Sequence, residues 1–141
     1  MMVEIINWTK PPPNEPKIDA ILEANTLSSI LLINKGNFKF DVQELPTETQ
    51  FSPIYAIATS DFDKDGDMDI LLGGNLNGVK PEFGRYDASY GNYLENKGNL
   101  NFKFHQTGKG LNIKGQIRDI KILKNKVFIA KNNDSLAVYN Y

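Results

Sequence analysis

The run Asp61-Phe62-Asp63-Lys64-Asp65-Gly66-Asp67-Met68-Asp69 places five carboxylates within nine residues. Two carboxylates roughly 5 Å apart repel by about 1 kcal/mol even in water, so several confined to one short loop force it open unless a hard cation sits among them. Calcium takes six to eight oxygen ligands, and a tight loop can turn alternate carboxylates inward while the residues between them face out. On this reading Asp61, Asp63, Asp65 and Asp69 offer side-chain oxygens and Asp67 offers its backbone carbonyl. Gly66 permits the sharp turn.

Other readings of the same residues differ in what they require. An EF-hand loop wants a bidentate Glu at its twelfth position; counted from Asp61, that position is Leu72, inside an apolar run of strand type. A catalytic carboxylate pair needs two acids and a pocket, whereas here five acids stand between strand-like runs that suggest no pocket. A solvated acidic turn without metal stays open on spacing alone.

The elements that must position this loop are strands. Pro53 to Thr59 and Asp69 to Leu72 flank it, both rich in Ile, Leu, Tyr and Ala. Eleven Gly and 16 Asn among 141 residues suit many tight turns with positive φ, and therefore short strands. The block Asn34-Lys35-Gly36-Asn37-Phe38-Lys39-Phe40 returns as Asn96-Lys97-Gly98-Asn99-Leu100-Asn101-Phe102-Lys103-Phe104, which reads as the same hairpin turn with two extra residues inside it. Each copy follows a possible strand, Ser29 to Ile33 and Tyr90 to Glu95, and ends in an alternating Phe-Lys-Phe. Further strands are expected at Ile117 to Leu123, Lys126 to Ala130 and Leu136 to Tyr139. A repeat of about 60 residues follows, and short four-stranded units at that spacing are the signature of propeller blades. Residues 1–24 read as a proline-rich lead, with four of the seven prolines between Pro11 and Pro16 and room for two helical turns at Ile18 to Ala24.

Composition narrows the function classes. A chain with 40% hydrophobic and 23% charged residues is one ordinary globular unit. Its net charge of -1 offers no basic field for nucleic acid or an anionic membrane surface. Its apolar runs are far shorter than a spanning helix needs. Without cysteine there is no disulfide, thiol nucleophile or cysteine zinc site, and one histidine, His105, makes no multi-histidine cluster. The first ten residues carry Glu4 and Trp8 and do not read as a secretory signal.

The stretch Tyr55 to Gly74, with its D-x-D-x-D-G-x-x-D loop between two strands, resembles the FG-GAP/VCBS repeat. The stretches Gln50 to Gly91, Gly115 to Ile120 and Ala130 to Asp134 are similar to the last blades of large secreted bacterial proteins built from that repeat. The resemblance covers about residues 25–141. It implies an all-β fold, a partial β-propeller of about two to three blades with antiparallel four-stranded sheets and one Asp-rich calcium loop, similar to the integrin α-subunit head. Residues 25–50 would form a partial blade, 51–107 a full blade with the calcium loop, and 108–141 a shortened last blade. The final unit carries Ile122-Leu123-Lys124-Asn125-Lys126 where the acidic loop would stand, and nothing before Asn34 resembles the loop, so one metal site is expected.

The segment Asn75 to Gly91 is long for a connection, and loops of that length are often functional. Arg85, Tyr86, Asp87 and Tyr90 could line a ligand face, tyrosine offering a flat apolar body with a polar edge; the alternative is that Arg85 and Asp87 pin the loop to its own unit. His105 reads as a surface or hydrogen-bonded histidine, Ser89 has no triad partner in view, Trp8 could plug a groove, and the triplets at Asn7 and Asn133 match glycosylation acceptors by composition only. The expected role is a non-enzymatic, Ca²⁺-binding module or scaffold for a glycan or protein ligand. It would be secreted or at a cell surface by resemblance, with further blades or self-association as partners. The alternative is a fragment of a polysaccharide-degrading enzyme such as a lyase.

Overall fold

The computed structural model describes residues 24–105 and 111–141. The proline-rich lead, the helical turns at Ile18 to Ala24 and Trp8 therefore lie outside the described residues, Ala24 excepted. Among the described residues nine strands form: β1 (Ile30–Gly36), β2 (Lys39–Glu44), β3 (Ile54–Ser60), β4 (Asp69–Gly74), β5 (Asn92–Asn96), β6 (Phe102–His105), β7 (Ile117–Leu123), β8 (Lys126–Lys131) and β9 (Ala137–Asn140). They make three antiparallel sheets in meander order, β1-β2, β3-β4-β5-β6 and β7-β8-β9. The fold is all-β. Four strands are found in the middle sheet only; the flanking sheets have two and three.

The strand registers show a repeat at higher precision than the sequence did. Leu31↔Gln43, Leu32↔Val42, Ile33↔Asp41 and Asn34↔Phe40 in the first hairpin become Tyr93↔His105, Leu94↔Phe104, Glu95↔Lys103 and Asn96↔Phe102 in the second, each shifted by the same 62 positions. Both turns place three consecutive residues at positive φ, Gly36-Asn37-Phe38 and Gly98-Asn99-Leu100. In both, the leading Asn side-chain oxygen accepts the Gly N–H, at 2.8 Å from Gly36 and 3.1 Å from Gly98. The expected two-residue insertion is therefore absent, and Phe38 is not a strand residue. It occupies the turn position of Leu100, with φ of 57° and its side chain fully exposed. Matching aromatic residues misaligned the copies, because the backbone conformation of the turn, rather than the Phe-Lys-Phe pattern, sets the register.

A second correspondence links the other two sheets. β3 and β4 pair with a bulge between Ile54 and Ala56, and β7 and β8 pair with a bulge between Ile117 and Asp119 at the equivalent place. After each bulge the registers run in step to Ser60↔Asp69 and to Leu123↔Lys126. Between those ends lie the acidic residues 61–68 in one sheet and only Lys124-Asn125 in the other.

Alternation on the strands of the middle sheet divides it into two apolar faces. Ala56, Leu71 and Tyr93 join Phe62, Ile117, Ile120, Val127 and Ile129 in one buried cluster, so the third sheet packs on this face through β7 over β3 and β4. Ile70, Leu72 and Leu94 form a second cluster on the opposite face with Leu45, Ile54, Phe102 and Phe104. In the first sheet the equivalents of Leu94, Phe102 and Phe104 are Leu32, Phe40 and Val42, all more than half exposed.

The glycine pair ending β4 sets how closely chains approach. A Cβ on Gly73 would meet the Ile117 side chain, and one on Gly74 would meet the Pro53 carbonyl oxygen, the acceptor of the Asn75 N–H at 3.3 Å. A backbone atom at a bulge cannot step aside as a side chain can. Gly74→Ala is expected to lower stability by about 1–3 kcal/mol through overpacking, whereas Gly78→Ala, with no atom within 4 Å of its new methyl, is expected to stay within about 0.5 kcal/mol of the parent. Urea unfolding of the two variants checks this.

Candidate metal centre

The loop that joins β3 to β4 curls on itself through its own carboxylates. Asp61 accepts the N–H of Asp65 on Oδ1 at 3.1 Å and that of Gly66 on Oδ2 at 3.0 Å, Asp63 Oδ1 accepts the N–H of Asp65 at 3.3 Å, and Asp65 Oδ1 accepts the N–H of Asp67 at 2.9 Å. Such side-chain-to-backbone bonds make successive Asx turns. Lys64 and Gly66 take the positive φ values, 64° and 99°, that close the curl. The result brings carboxylate oxygens of Asp61, Asp63 and Asp65 within 4.8 Å of one another. Three hard oxygen donors at that spacing suit calcium in kind, and carboxylates so placed gain from a cation between them.

Asp69, expected among the side-chain ligands, stands apart from that group. It has no exposed surface. Its Oδ1 accepts the Asn96 N–H at 2.8 Å, and its Oδ2 accepts the Phe62 N–H at 3.1 Å and the Tyr93 hydroxyl at 2.8 Å. A buried carboxylate is stable only when its oxygens find donors, and here they come from the loop, from the middle of β5 and from its last residue, where the β5–β6 turn begins. Asp69 thus anchors the loop. The side chain of Asp67 turns toward the same turn, its Oδ2 3.7 Å from where a Cβ on Gly98 would stand.

The electrostatic surroundings follow from these contacts. Burial, then the hydrogen bond to Asp69, then the charges of Asp69, Asp63 and Glu95 hold the Tyr93 phenol far above its ordinary value of 10.0. Beside it Glu95, nearly buried, bridges Lys97 at 2.8 Å and His105 at 2.7 Å. Lys97 is held above its ordinary value, first by that bond to Glu95 and further by the charges of Glu95, Asp63 and Asp65. His105 is thus a hydrogen-bonded histidine, tied to a carboxylate that the sequence did not single out.

The residues from Asn75 to Gly91 are organised by Asn75, which no pattern in the sequence singles out. Buried, with φ of 82°, it donates from Nδ2 to the carbonyls of Ser89 at 2.6 Å and Gly115 at 3.0 Å, and its Oδ1 accepts the Ser89 N–H at 2.9 Å. Arg118 donates to the Asn75 carbonyl at 3.0 Å while lying 4.2 Å from the centre of the Tyr55 ring. Ala88 donates its N–H to Ser52 Oγ, and Leu76 pairs with Tyr86 in an isolated bridge. The loop is pinned by these groups rather than by Arg85 and Asp87. Of the four residues expected on a ligand face, Asp87 and Tyr90 line concavities; Tyr86 lies in the bridge, and Arg85 lines neither concavity.

Comparison with protein-family models, with curated proteins and with solved structures finds no match.

Tyr93→Phe removes one of the three donors to Asp69 and leaves the ring. It is expected to cost about 1–3 kcal/mol, as for an acceptor left short in a buried site. A group whose folded-state pKa is raised contributes stability that is full below its unfolded value, near pH 10, and is lost as the pH climbs beyond it. The parent protein should therefore lose stability more steeply than Tyr93→Phe above about pH 10, which denaturant melts across that range will read.

Proposed function

We propose that this chain is a calcium-stapled, non-enzymatic binding or scaffold module of the FG-GAP/VCBS kind, its sheets being blades of a partial β-propeller that presents a surface to a glycan or protein ligand. The observation that carries the proposal is the gathering of Asp61, Asp63 and Asp65 oxygens in a loop between the first two strands of a four-stranded antiparallel sheet. Two further observations support it. The registers recur from sheet to sheet, as a blade repeat requires. The apolar face of β1 and β2 is exposed where its equivalent in the middle sheet is covered, which suits a further blade or a second copy.

In this reading Asp61, Asp63 and Asp65 hold the ion, the Asp67 carbonyl adds to the shell, and Asp69 anchors the loop from behind. Calcium supplies charge compensation and no chemistry. The loop joins two strands of one hairpin, so the ion staples that hairpin rather than moving domains against each other, unlike the helix opening of a sensor EF-hand. A secreted or cell-surface setting follows from the family resemblance and matches the calcium range in which loops of this kind saturate.

Calcium is expected to bind with a dissociation constant on the order of 10⁻⁴ to 10⁻³ M and to stabilise the fold by about 2.7 kcal/mol at a hundredfold excess over that constant. Asp63→Asn keeps the hydrogen-bonding oxygen and removes the charge, and should weaken binding at least tenfold with little loss of stability in chelator. Titration calorimetry and thermal melts with and without chelator provide the readout. Absence of heat, with melts unchanged by chelator, would overturn the proposal.

A further inference from the structure

Three separate stretches of the chain meet at one concavity away from the acidic loop. Its volume is about 400 Å³, and it is lined by Glu48, Phe51, Ala88, Tyr90, Asn92 and Phe104. Each stretch is held in place. The short helical turn Thr47–Gln50, which carries Glu48, is tied to the chain before β1 by Gln50, whose Oε1 accepts the Ser29 N–H at 2.6 Å and whose Nε2 donates to the Ser29 carbonyl at 3.1 Å. Ala88 donates its N–H to Ser52 Oγ at 3.0 Å, and the Tyr90 carbonyl accepts the Ile113 N–H at 2.9 Å. Phe104 lies on β6 and packs against the cluster of Ile70, Leu72 and Leu94. Two features of this fixed wall find no use in the fold. The Phe51 and Tyr90 side chains are 56% and 44% exposed, and large rings left open around one depression mark a binding surface. Asn92 is 94% buried, yet its Oδ1 meets only the Ser89 hydroxyl, at a long 3.5 Å, and its Nδ2 has no partner among the described residues while not being closed off from solvent. An amide donor so placed is satisfied by an acceptor that arrives from outside.

The charge of the lining says what arrives. It holds three aromatic rings, one carboxylate and, among the described residues, no basic side chain. The Glu48 carboxylate is exposed and enters no hydrogen bond or ion pair among the described residues. Ring faces and a carboxylate both attract a cation. The guanidinium of arginine and the ammonium of lysine arrive on apolar stems that the rings can cover. A free organic cation would leave the Asn92 donor unmet, whereas a basic side chain brings main-chain carbonyls with it. We infer that this concavity is a docking site for a lysine or arginine side chain of a peptide partner, its cation held by Glu48 and the rings of Phe51, Tyr90 and Phe104, with Asn92 Nδ2 donating to a carbonyl of the same peptide. This rests on the reading of the chain as a binding module and chooses, of its two ligand classes, a protein over a glycan. It shares no residue with the acidic loop.

The test is an NMR or calorimetric titration of the full chain in saturating calcium. The probes are capped pentapeptides with arginine, lysine or norleucine at the centre of four glycines, together with tetramethylammonium and cellotetraose. The arginine or the lysine peptide is expected to bind about tenfold or more tightly than the norleucine peptide, which has the stem without the charge, and to bind less tightly as salt is raised. Glu48→Gln and Phe51→Ala should each weaken that binding about threefold or more, Phe51→Tyr should retain it, and Glu82→Gln, an exposed acid outside the lining, should leave it unchanged. Glu48 and Phe51 are both exposed, so their variants are expected to fold, which melting curves check. Equal binding of the norleucine peptide, or binding of tetramethylammonium or cellotetraose alone, would overturn the inference. Undiminished binding in the folded Glu48→Gln and Phe51→Ala proteins would overturn the location. Calcium stabilisation with no peptide bound would overturn this inference and leave the calcium proposal standing, and peptide binding by a protein that takes up no calcium would do the reverse.

Discussion

A carboxylate with no access to water is among the costliest groups a small fold can carry, and the arrangement around Asp69 exists to satisfy one. The Phe62 N–H fixes where the acidic loop leaves β3, the Asn96 N–H fixes where β5 gives way to its turn, and the Tyr93 hydroxyl reaches from the centre of the sheet. Each donor is itself built into packing. Phe62 meets Tyr93 and Tyr141 edge to face, with ring centres 5.8 Å and 4.8 Å apart, and the Tyr141 hydroxyl lies 2.9 Å from Ser60 Oγ and donates to the Lys124 carbonyl at 3.1 Å. One anion thereby ties the loop to the sheet that bears it and to the sheet next door. Removing a donor leaves the charge short of partners in a low-dielectric site, which is why the loss exceeds that of an ordinary surface hydrogen bond.

The opposite end of the same sheet is held by neutral groups. Asn75, Gly115, Gln116 and Arg118 link the long connection after β4 to the entry of β7, while Gly73 lets Ile117 settle against the strand. Two sheets are thus fastened at both ends, by a charged buried knot near the loop and by an amide and guanidinium network at the far side. The apolar cluster between the fastenings contains Leu71, Tyr93, Ile117 and Ile129, each almost wholly buried. Such interdigitated packing supplies the bulk of the stabilisation, and the polar fastenings set the register in which it occurs.

Much of this was legible in the chain. Strands at Ile117 to Leu123 and Lys126 to Ala130 follow from the apolar residues on either side of Lys124-Asn125, the second running one residue further to Lys131, and the Asn-Lys-Gly-Asn blocks identify both repeated hairpins because Gly and Asn accept the positive φ of the turn. The strand patterns and the acidic spacing are local signals. What stayed hidden depends on contacts between residues distant in sequence. Asp69 is equivalent to its neighbours in a motif of alternating acids, and only the approach of Tyr93 and Asn96, more than 20 positions away, gives it a different task. Asn75 and Arg118 meet only because β4 and β7 pack together, and Phe38 looks like a strand residue until the conformation of Leu100 shows otherwise. A signal for Asn96 did exist, since it opens the repeated turn block, yet its second role, donating from Nδ2 to the Met68 carbonyl at 3.3 Å, has no counterpart in the first copy.

The matched bulges of the β3–β4 and β7–β8 pairs have a further consequence. The two hairpins keep step through their whole paired length and differ only beyond it, where one continues for eight residues and the other turns back in two. Whatever the longer tip does is therefore decided outside the ladder. A sheet of this kind can carry a long or a short tip on one and the same ladder, the long one drawing its support from Phe62 in the core and from Tyr93 and Asn96 on the next strand. By the same logic Leu123 and Lys126 form a ready splice point, where residues 61–68 could be transplanted to give a second tip on the neighbouring sheet, provided that a partner for the buried carboxylate at its base were transplanted with it.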